Sequence, residues 1–460
     1  MNQTAPSPEA GHPRRWAIMT VLGAVAFMAQ LDFFIVNVAL DGIGRSFAGS
    51  PESLVSWVLS AYAIVFAAVL VPAGRLADQY GRKRVLLAGV AVFTAASTVA
   101  AFAPVLGILI AARGVQAVGA AMIVPTSLGL LYPSFPRRQH TLVVGIWAGV
   151  AGVAASAGPP VGGLLVTVDW RWIFLINLPI GVATIAAGAF LLPEVRQSAG
   201  TRLPDAASGL ALLFGVSALV LATVEGPSWG WASARTVALF AAAVALAAVT
   251  LQRTLRAASP VIEKQLFRGR QFTAATIALL LLFTGFSFFL LGDALFMQNV
   301  WHFSALRAGV GIAPAPVVSV GFALSAGPIQ SRYGRTLPAV TGMLAMALAA
   351  AWWLVMVSGA PSYWTAMFPG LVVMGVSGGL SQAPLFAAAG TLPPQRATTG
   401  SAVLNMSRQV GSALGVALLV ALTASDENVH GFDHAWALQI GAGVVAAAVL
   451  LLLRPRASRA

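Results

Sequence analysis

Four ionisable side chains lie inside long apolar runs of this sequence: Asp32, Arg113, Asp293 and Arg408. A bare charge at the middle of a bilayer costs roughly 3 kcal/mol or more, so such groups serve ion or substrate pathways or pair with one another. Asp32 stands about 9 residues from the outer end of its run and Arg113 about 7 from the outer end of its own. At a helical rise of 1.5 Å per residue these depths are about 13 and 10 Å. An arginine beside a carboxylate favours its charged form and apolar surroundings favour its neutral form, so relative motion of the two can load or release a proton. Asp32 is therefore the expected protonation site, tuned by Arg113; the alternative is a static buried pair that fixes helix packing. Asp293, near the outer end of its run, is a second proton site, a counter-charge for cationic substrates or a solvated interfacial carboxylate. Arg408, with Asn405 and Gln409 close by, faces a cavity or a partner such as Asp293.

The elements that must position these groups follow from composition. The chain has 460 residues, 58% hydrophobic and only 9% charged, where a soluble domain carries about 25% charged residues. Fourteen apolar segments reach spanning length, at about 30 residues for each span and its loop. They cover residues 16–40, 54–74, 85–103, 106–131, 141–166, 173–192, 208–224, 236–251, 272–299, 305–329, 337–357, 363–392, 398–423 and 434–453. The first run is too long for a signal-peptide core and is expected to be retained.

The net charge of +13 would suggest nucleic-acid binding on a soluble chain. With fourteen spans and a cytoplasmic N-terminus, however, inner segments hold 21 of the 27 Lys and Arg and outer loops hold four. That asymmetry is the positive-inside rule; the charge orients the chain, and nucleic acid drops out as a partner. With no cysteine, disulfides and thiolate chemistry are excluded. No phosphate-cradling GxxxxGK[ST] loop is present, so ATP is not the expected energy source. No metal-ligand spacing and no catalytic constellation stands out, and neither a metal, an organic cofactor nor an enzymatic activity is expected.

Two stretches of the chain repeat. FFIVNVAL at Phe33 meets FFLLGDAL at Phe288, and GRLADQYGRK at Gly74 meets GPIQSRYGRT at Gly327; Gly114, Gly119 and Gly145 meet Gly370, Gly375 and Gly400, all at offsets of 253–256 residues. This implies a duplicated unit. The offset exceeds six spans by about two more, so the expected plan is an all-α polytopic fold: a six-helix bundle over 1–192, two added helices and linkers over 193–270, and a second six-helix bundle over 271–460. Parallel halves place the substrate near the midplane between them.

GRLADQYGRKR from Gly74, RGVQAVGAA from Arg113, AGPPVGG from Ala157, LDFFIVNVAL from Leu31, WRWIFLINLPIG from Trp170 and SRQVGSALGVALL from Ser407 together resemble the major facilitator superfamily, in its fourteen-helix drug:proton antiporter branch (QacA/EmrB-like). The resemblance covers almost the whole chain. It departs at Ala117 and Ala154, where glycine is usual; within the chain, Ser331 of the second copy stands where the first has Asp78, so a latch there is asymmetric. It implies the major facilitator fold and a proton-coupled exporter of lipophilic small molecules, cationic ones among the candidates, working by alternating access. The chain is then a monomeric multi-pass protein of a bacterial cytoplasmic membrane with both termini inside. Three alternatives stand beside it: a dedicated exporter of a self-made antibiotic or metabolite, a proton-coupled importer, which AGPPVGG disfavours, and a transport-dead sensor or assembly protein.

Several residue sets follow. Asp78 with Arg75, Arg82 and Lys83 on a turn that Gly81 allows to reverse forms a latch of exchangeable, exposed ion pairs. Gly158, Gly162 and Gly163 with Pro159 form a pivot in the fifth segment, where small residues let another helix approach. Phe33, Asn37, Trp57, Gln116, Phe286, Met297, Gln298, Asn405 and Arg408 are the expected substrate contacts, since apolar walls with few polar groups suit bulky amphipathic ligands.

Overall fold

The structure, a computed structural model, describes residues 11–47, 50, 52–55, 57–195, 205–257, 260, 262–303, 305–393, 396–423 and 429–453. An apolar run in lipid has no water for its amides and must close its own hydrogen bonds, which a helix does. Fourteen helical passages result, and no strand occurs among the described residues. The first six are α1 (Arg15–Ser46), α2 (Trp57–Tyr80), α3 (Arg82–Ala101), α4 (Leu106–Ser134), α5 (His140–Val166) and α6 (Trp172–Leu191). Then come α7 (Ala206–Trp229) and α8 (Ala234–Arg256). The last six are α9 (Arg270–Asn299), α10 (Pro314–Tyr333, preceded by the short helix Ala305–Ile312), α11 (Thr336–Met356), α12 (Tyr363–Thr391), α13 (Ala397–Thr423) and α14 (Val429–Leu452). Twelve described helices are long and apolar enough to cross a membrane; the other two passages are α5 and α10. Each expected segment falls on one passage.

The duplication is visible in the register. Arg15, Trp57, Arg82, Leu106, His140 and Trp172 open α1–α6, and Arg270, Pro314, Thr336, Tyr363, Ala397 and Val429 open α9–α14, 254–257 residues later in each case. Within the first half α1 packs on α4, α5 and α6, while α4 packs on α2 and α3; in the second half α9 packs on α13 and α14, and α12 on α10 and α11. The halves meet through α2 and α4 against α13, and through α5 against α10 and α12. The added helices pack on each other, and α7 lies along the seam between α2 and α13. Asp205 caps α7 at the Ser208 amide, and Ser233 caps α8 at the Thr236 amide, satisfying donors that a helix start otherwise leaves open.

Glycines let the halves close at the end that carries Arg75–Arg84, here the basic end. A Cβ on Gly74 would stand 2.6 Å from that of Ala402, so only glycine lets α2 and α13 approach there. Beside it the Tyr132 hydroxyl donates to the Phe386 carbonyl at 2.9 Å.

Candidate functional site

Five helices of the first half deliver polar groups to one buried point. Asp32 of α1 is 1% exposed and Arg113 of α4 is 0% exposed. Arg113 Nη1 donates to Asp32 Oδ2 at 2.5 Å and to Gln116 Oε1 at 2.7 Å. Gln116 lies one turn from Arg113 on the same face, so its amide closes the ring: Nε2 donates to Asp32 Oδ1 at 2.7 Å and to Ser97 Oγ of α3 at 2.8 Å. Asn177 Nδ2 of α6 also donates to Asp32 Oδ1, at 2.9 Å. Arg113 Nε donates to the Val58 carbonyl of α2, and its guanidinium lies 4.2 Å from the centre of the Tyr62 ring.

Desolvating two charges is costly, and extra hydrogen bonds are what make such a pair tolerable. Here both carboxylate oxygens and two guanidinium nitrogens have partners, and the cation also rests on an aromatic face. Depth along two helices pairs Asp32 with Arg113, and the structure joins them. Ser97 and Asn177 were not singled out; their signal was a polar side chain inside an apolar span. Gln116 corrects the expectation of a substrate contact: it is 0% exposed and serves the ion cluster. Among the described residues the second half holds no copy of this cluster. Its Asp32 position is Ser287, whose hydroxyl bonds to Phe283 and Ser412.

A second constellation joins the halves at the basic end. Gly81 has φ +111°, a region open to glycine, and turns α2 into α3. Asp78 Oδ1 accepts from Arg82 Nε at 3.0 Å and Nη2 at 2.9 Å, and Arg82 Nη1 donates to the Gly129 carbonyl at 2.8 Å. Asp78 Oδ2 accepts from the backbone N and Oγ1 of Thr399 at 2.8 and 2.7 Å. A first-half carboxylate thus sits at the N-terminus of α13, where open N–H groups and the helix dipole attract an anion. The pair corrects the picture of exposed, exchangeable charges, since Asp78 and Arg82 are each 1% exposed. Arg75 and Lys83 play other parts. Arg75 pairs with Glu263 of the central linker, which also pairs with Arg396 at 2.7 Å; Lys83 Nζ donates to the Ala189 carbonyl of α6 at 2.6 Å. The second copy is unlike the first. Arg335, in the Arg82 position, lines a cavity of about 510 Å³ with Gln271, Tyr333 and Thr336, and burial lowers its guanidinium below the usual value.

The remaining expected residues divide. Asp293 is 0% exposed in α9, held by Trp436 Nε1 at 3.1 Å, and its Oδ2 has no hydrogen-bond partner among the described residues. It is neither solvated nor paired with Arg408. It ends a π-helical stretch, Phe288–Asp293, a feature common at functional sites. Met297 is 0% exposed and packs beside Gly311, and Gln298 Nε2 donates to Ala294 of its own helix; neither lines an open wall. Phe33, Trp57 and Phe286 are half-buried, and Asn405 is buried on α13. The side chains of Asn37 and Pro159 lie outside the described residues.

On α5 the expected pivot narrows to two glycines. A Cβ on Gly158 would stand 2.7 Å from Phe34 Cβ, and one on Gly162 2.9 Å from Ile35 Cγ1, so α1 and α5 touch there; a Cβ on Gly163 would meet nothing within 4 Å. Gly158→Ala is therefore expected to cost about 1–3 kcal/mol of stability by overpacking, and Gly163→Ala to stay within about 0.5 kcal/mol. Thermal unfolding of the two purified variants checks the contrast.

Known proteins resemble the chain as follows. A family model described as Major Facilitator Superfamily matches residues 22–416. The chain is 37% identical to a methylenomycin A resistance protein of Streptomyces coelicolor over 90% of its length and 87% of that protein. It is 32% identical to a tetracenomycin C resistance and export protein of Streptomyces glaucescens, over 92% and 78%. Among solved structures, the human organic anion transporter MFSD10 superposes with a TM-score of 0.69 at 13% identity, over 95% of this chain and 100% of that one, a likeness of fold.

Proposed function

Since the chain belongs to the major facilitator superfamily, we propose that it is a proton-coupled exporter of antibiotic-like lipophilic molecules. The protein is a multi-pass transporter of a bacterial membrane. One observation carries the coupling: the buried Asp32 carboxylate is held by Arg113, Gln116 and Asn177 from two other helices. Protonating Asp32 removes half of the ion pair and frees Arg113, and a change in the angle between α1, α4 and α6 separates the donors from the acceptor. Proton binding and helix rearrangement thus drive each other, as linkage requires. Gly158 and Gly162 let α1, the helix that carries Asp32, slide on α5. The latch at Asp78 holds the basic end, read as cytoplasmic, closed until the halves rock apart. The names of the relatives, a methylenomycin A resistance protein and a tetracenomycin C resistance and export protein, support antibiotic-like compounds as cargo.

Proteoliposomes carrying an imposed pH gradient, offered a panel of lipophilic antibiotics and dyes, test the reading. Concentrative movement that collapses with a protonophore is the expected result. Accumulation that survives the protonophore, or no movement of any compound, contradicts it.

A further inference from the structure

We propose that Arg408 reads negative charge on the cargo, so that the exporter takes amphipathic aromatic anions rather than cations. The inference rests on the exporter reading above and names its substrate class. On α13, Gly411 and Gly415 meet Leu280 and Thr284 of α9, while Thr399 and Ala402 meet Asp78 and Gly74 of α2. At 3.6 residues per turn, Asn405, Arg408 and Gln409 occupy one arc between those two faces. The Arg408 guanidinium lies 5.7 Å from the centre of the Phe283 ring. Phe283 and Phe286 form an aromatic pair with ring centres 5.8 Å apart, and Phe286 reaches Gly378 of α12 beside Ser319 of α10. That arc therefore looks toward the interior of the second half.

Arg408 is only partly buried, yet its Nε is fully enclosed and has no hydrogen-bond partner, and no carboxylate among the described residues pairs with it. The two intramembrane carboxylates are taken up elsewhere, Asp32 by Arg113 and Asp293 by Trp436. An arginine facing the protein interior of a membrane bundle without a counter-ion is an unmet demand for an anion. Asn405, one turn away on the same face, is 1% exposed, and its Oδ1 also lacks a partner. An unsatisfied donor of a cationic side chain stands one helical turn from an unsatisfied acceptor, with the guanidinium near the Phe283 ring and Phe286 packed on that ring. The complement is an aromatic body bearing an anionic oxygen with a hydroxyl next to it. A cation placed there would meet like charge and no acid.

The test uses two probes with one ring and one stem and opposite charge: 1-pyrenebutyrate and a 1-pyrenebutyl-trimethylammonium salt. Binding of each to the purified full chain in detergent is followed by pyrene fluorescence. The wild type is expected to bind pyrenebutyrate at least about 10-fold more tightly than the cation. A charge-assisted hydrogen bond supplies that discrimination, and its loss in Arg408→Gln is expected to weaken pyrenebutyrate about 10- to 100-fold. Arg408→Lys, which keeps the charge, is expected to recover part of the affinity and shows that the glutamine variant has not merely failed to fold. Tighter binding of the cation, binding of neither probe, or an Arg408→Gln variant that binds pyrenebutyrate like wild type overturns the inference. Arg408-dependent binding without movement under a pH gradient leaves the inference standing and removes the exporter reading instead. Concentrative export of the cation alone does the reverse.

Discussion

Asp32→Asn is expected to abolish concentrative, proton-driven export while exchange of substrate down its own gradient continues. Asparagine matches aspartate in size but cannot take up the proton. It also puts an N–H donor where the site requires acceptors, opposite Arg113, Gln116 and Asn177. The substitution leaves the Arg113 charge buried without its counter-ion, which costs about 3–5 kcal/mol when one partner of such a pair is removed. Lost export could then reflect lost packing, the role of a purely static ion pair. The double variant Asp32→Asn/Arg113→Gln separates the two. With no stranded charge it is expected to recover most of the thermal stability of the wild type and none of the gradient-driven export. If the double variant recovers both, the pair is only a packing device. Concentrative uptake by inverted vesicles and thermal unfolding are the two readouts.

Asp78→Asn is expected to open the basic end. The carboxylate accepts four hydrogen bonds, two from Arg82 of its own half and two from Thr399 across the boundary between the halves. Neutralising it takes the anion from the start of α13 and weakens the two bonds from Thr399, the ones that must break when the halves part. At about 1.5–3 kcal/mol for hydrogen bonds to a charged group, and tenfold per 1.4 kcal/mol, the closed state is expected to lose about 10- to 100-fold in population relative to the open one. The chain has no cysteine, so a single cysteine at Ala402, which lies against Gly74 in the closed state, reports the opening against a clean background. Faster maleimide labelling of that cysteine in the Asp78→Asn background is the expected outcome; labelling at the wild-type rate contradicts the latch. Glu263 adds a link through the linker, since it pairs with Arg75 of α2 and with Arg396 just before α13.

The fourteen passages were legible because lipid imposes one rule on every residue of a span, and hydropathy reads that rule directly. The duplication was legible because both halves keep the same helix spacing. The pairing of Asp32 with Arg113 could be reached from depth alone, since helical rise converts residue count to distance. The rest of the site was harder to see because hydrogen bonds join residues far apart in the chain. Asn177 and Ser97 are ordinary polar residues until the fold brings them to Asp32. Thr399 becomes a partner of Asp78 only through the seam between the halves. Rotation about the helix axis was the other gap. Gly162 and Gly163 are neighbours in sequence, yet one touches α1 and the other touches nothing. Met297 and Asp293 share a helix with Phe286 but are enclosed in the second bundle, where Trp436 takes the carboxylate.

Asp32 is the proposed carrier of the coupled proton. The most direct test of that role is proton movement itself, in proteoliposomes that trap a pH-sensitive dye and receive a gradient of any compound the wild type moves. In the wild type and in Asp293→Asn, the substrate gradient is expected to drive protons in the opposite direction. In Asp32→Asn, substrate is expected to run down its gradient with no proton flux. Undiminished proton flux per substrate in Asp32→Asn would show that Asp32 does not carry the coupled proton.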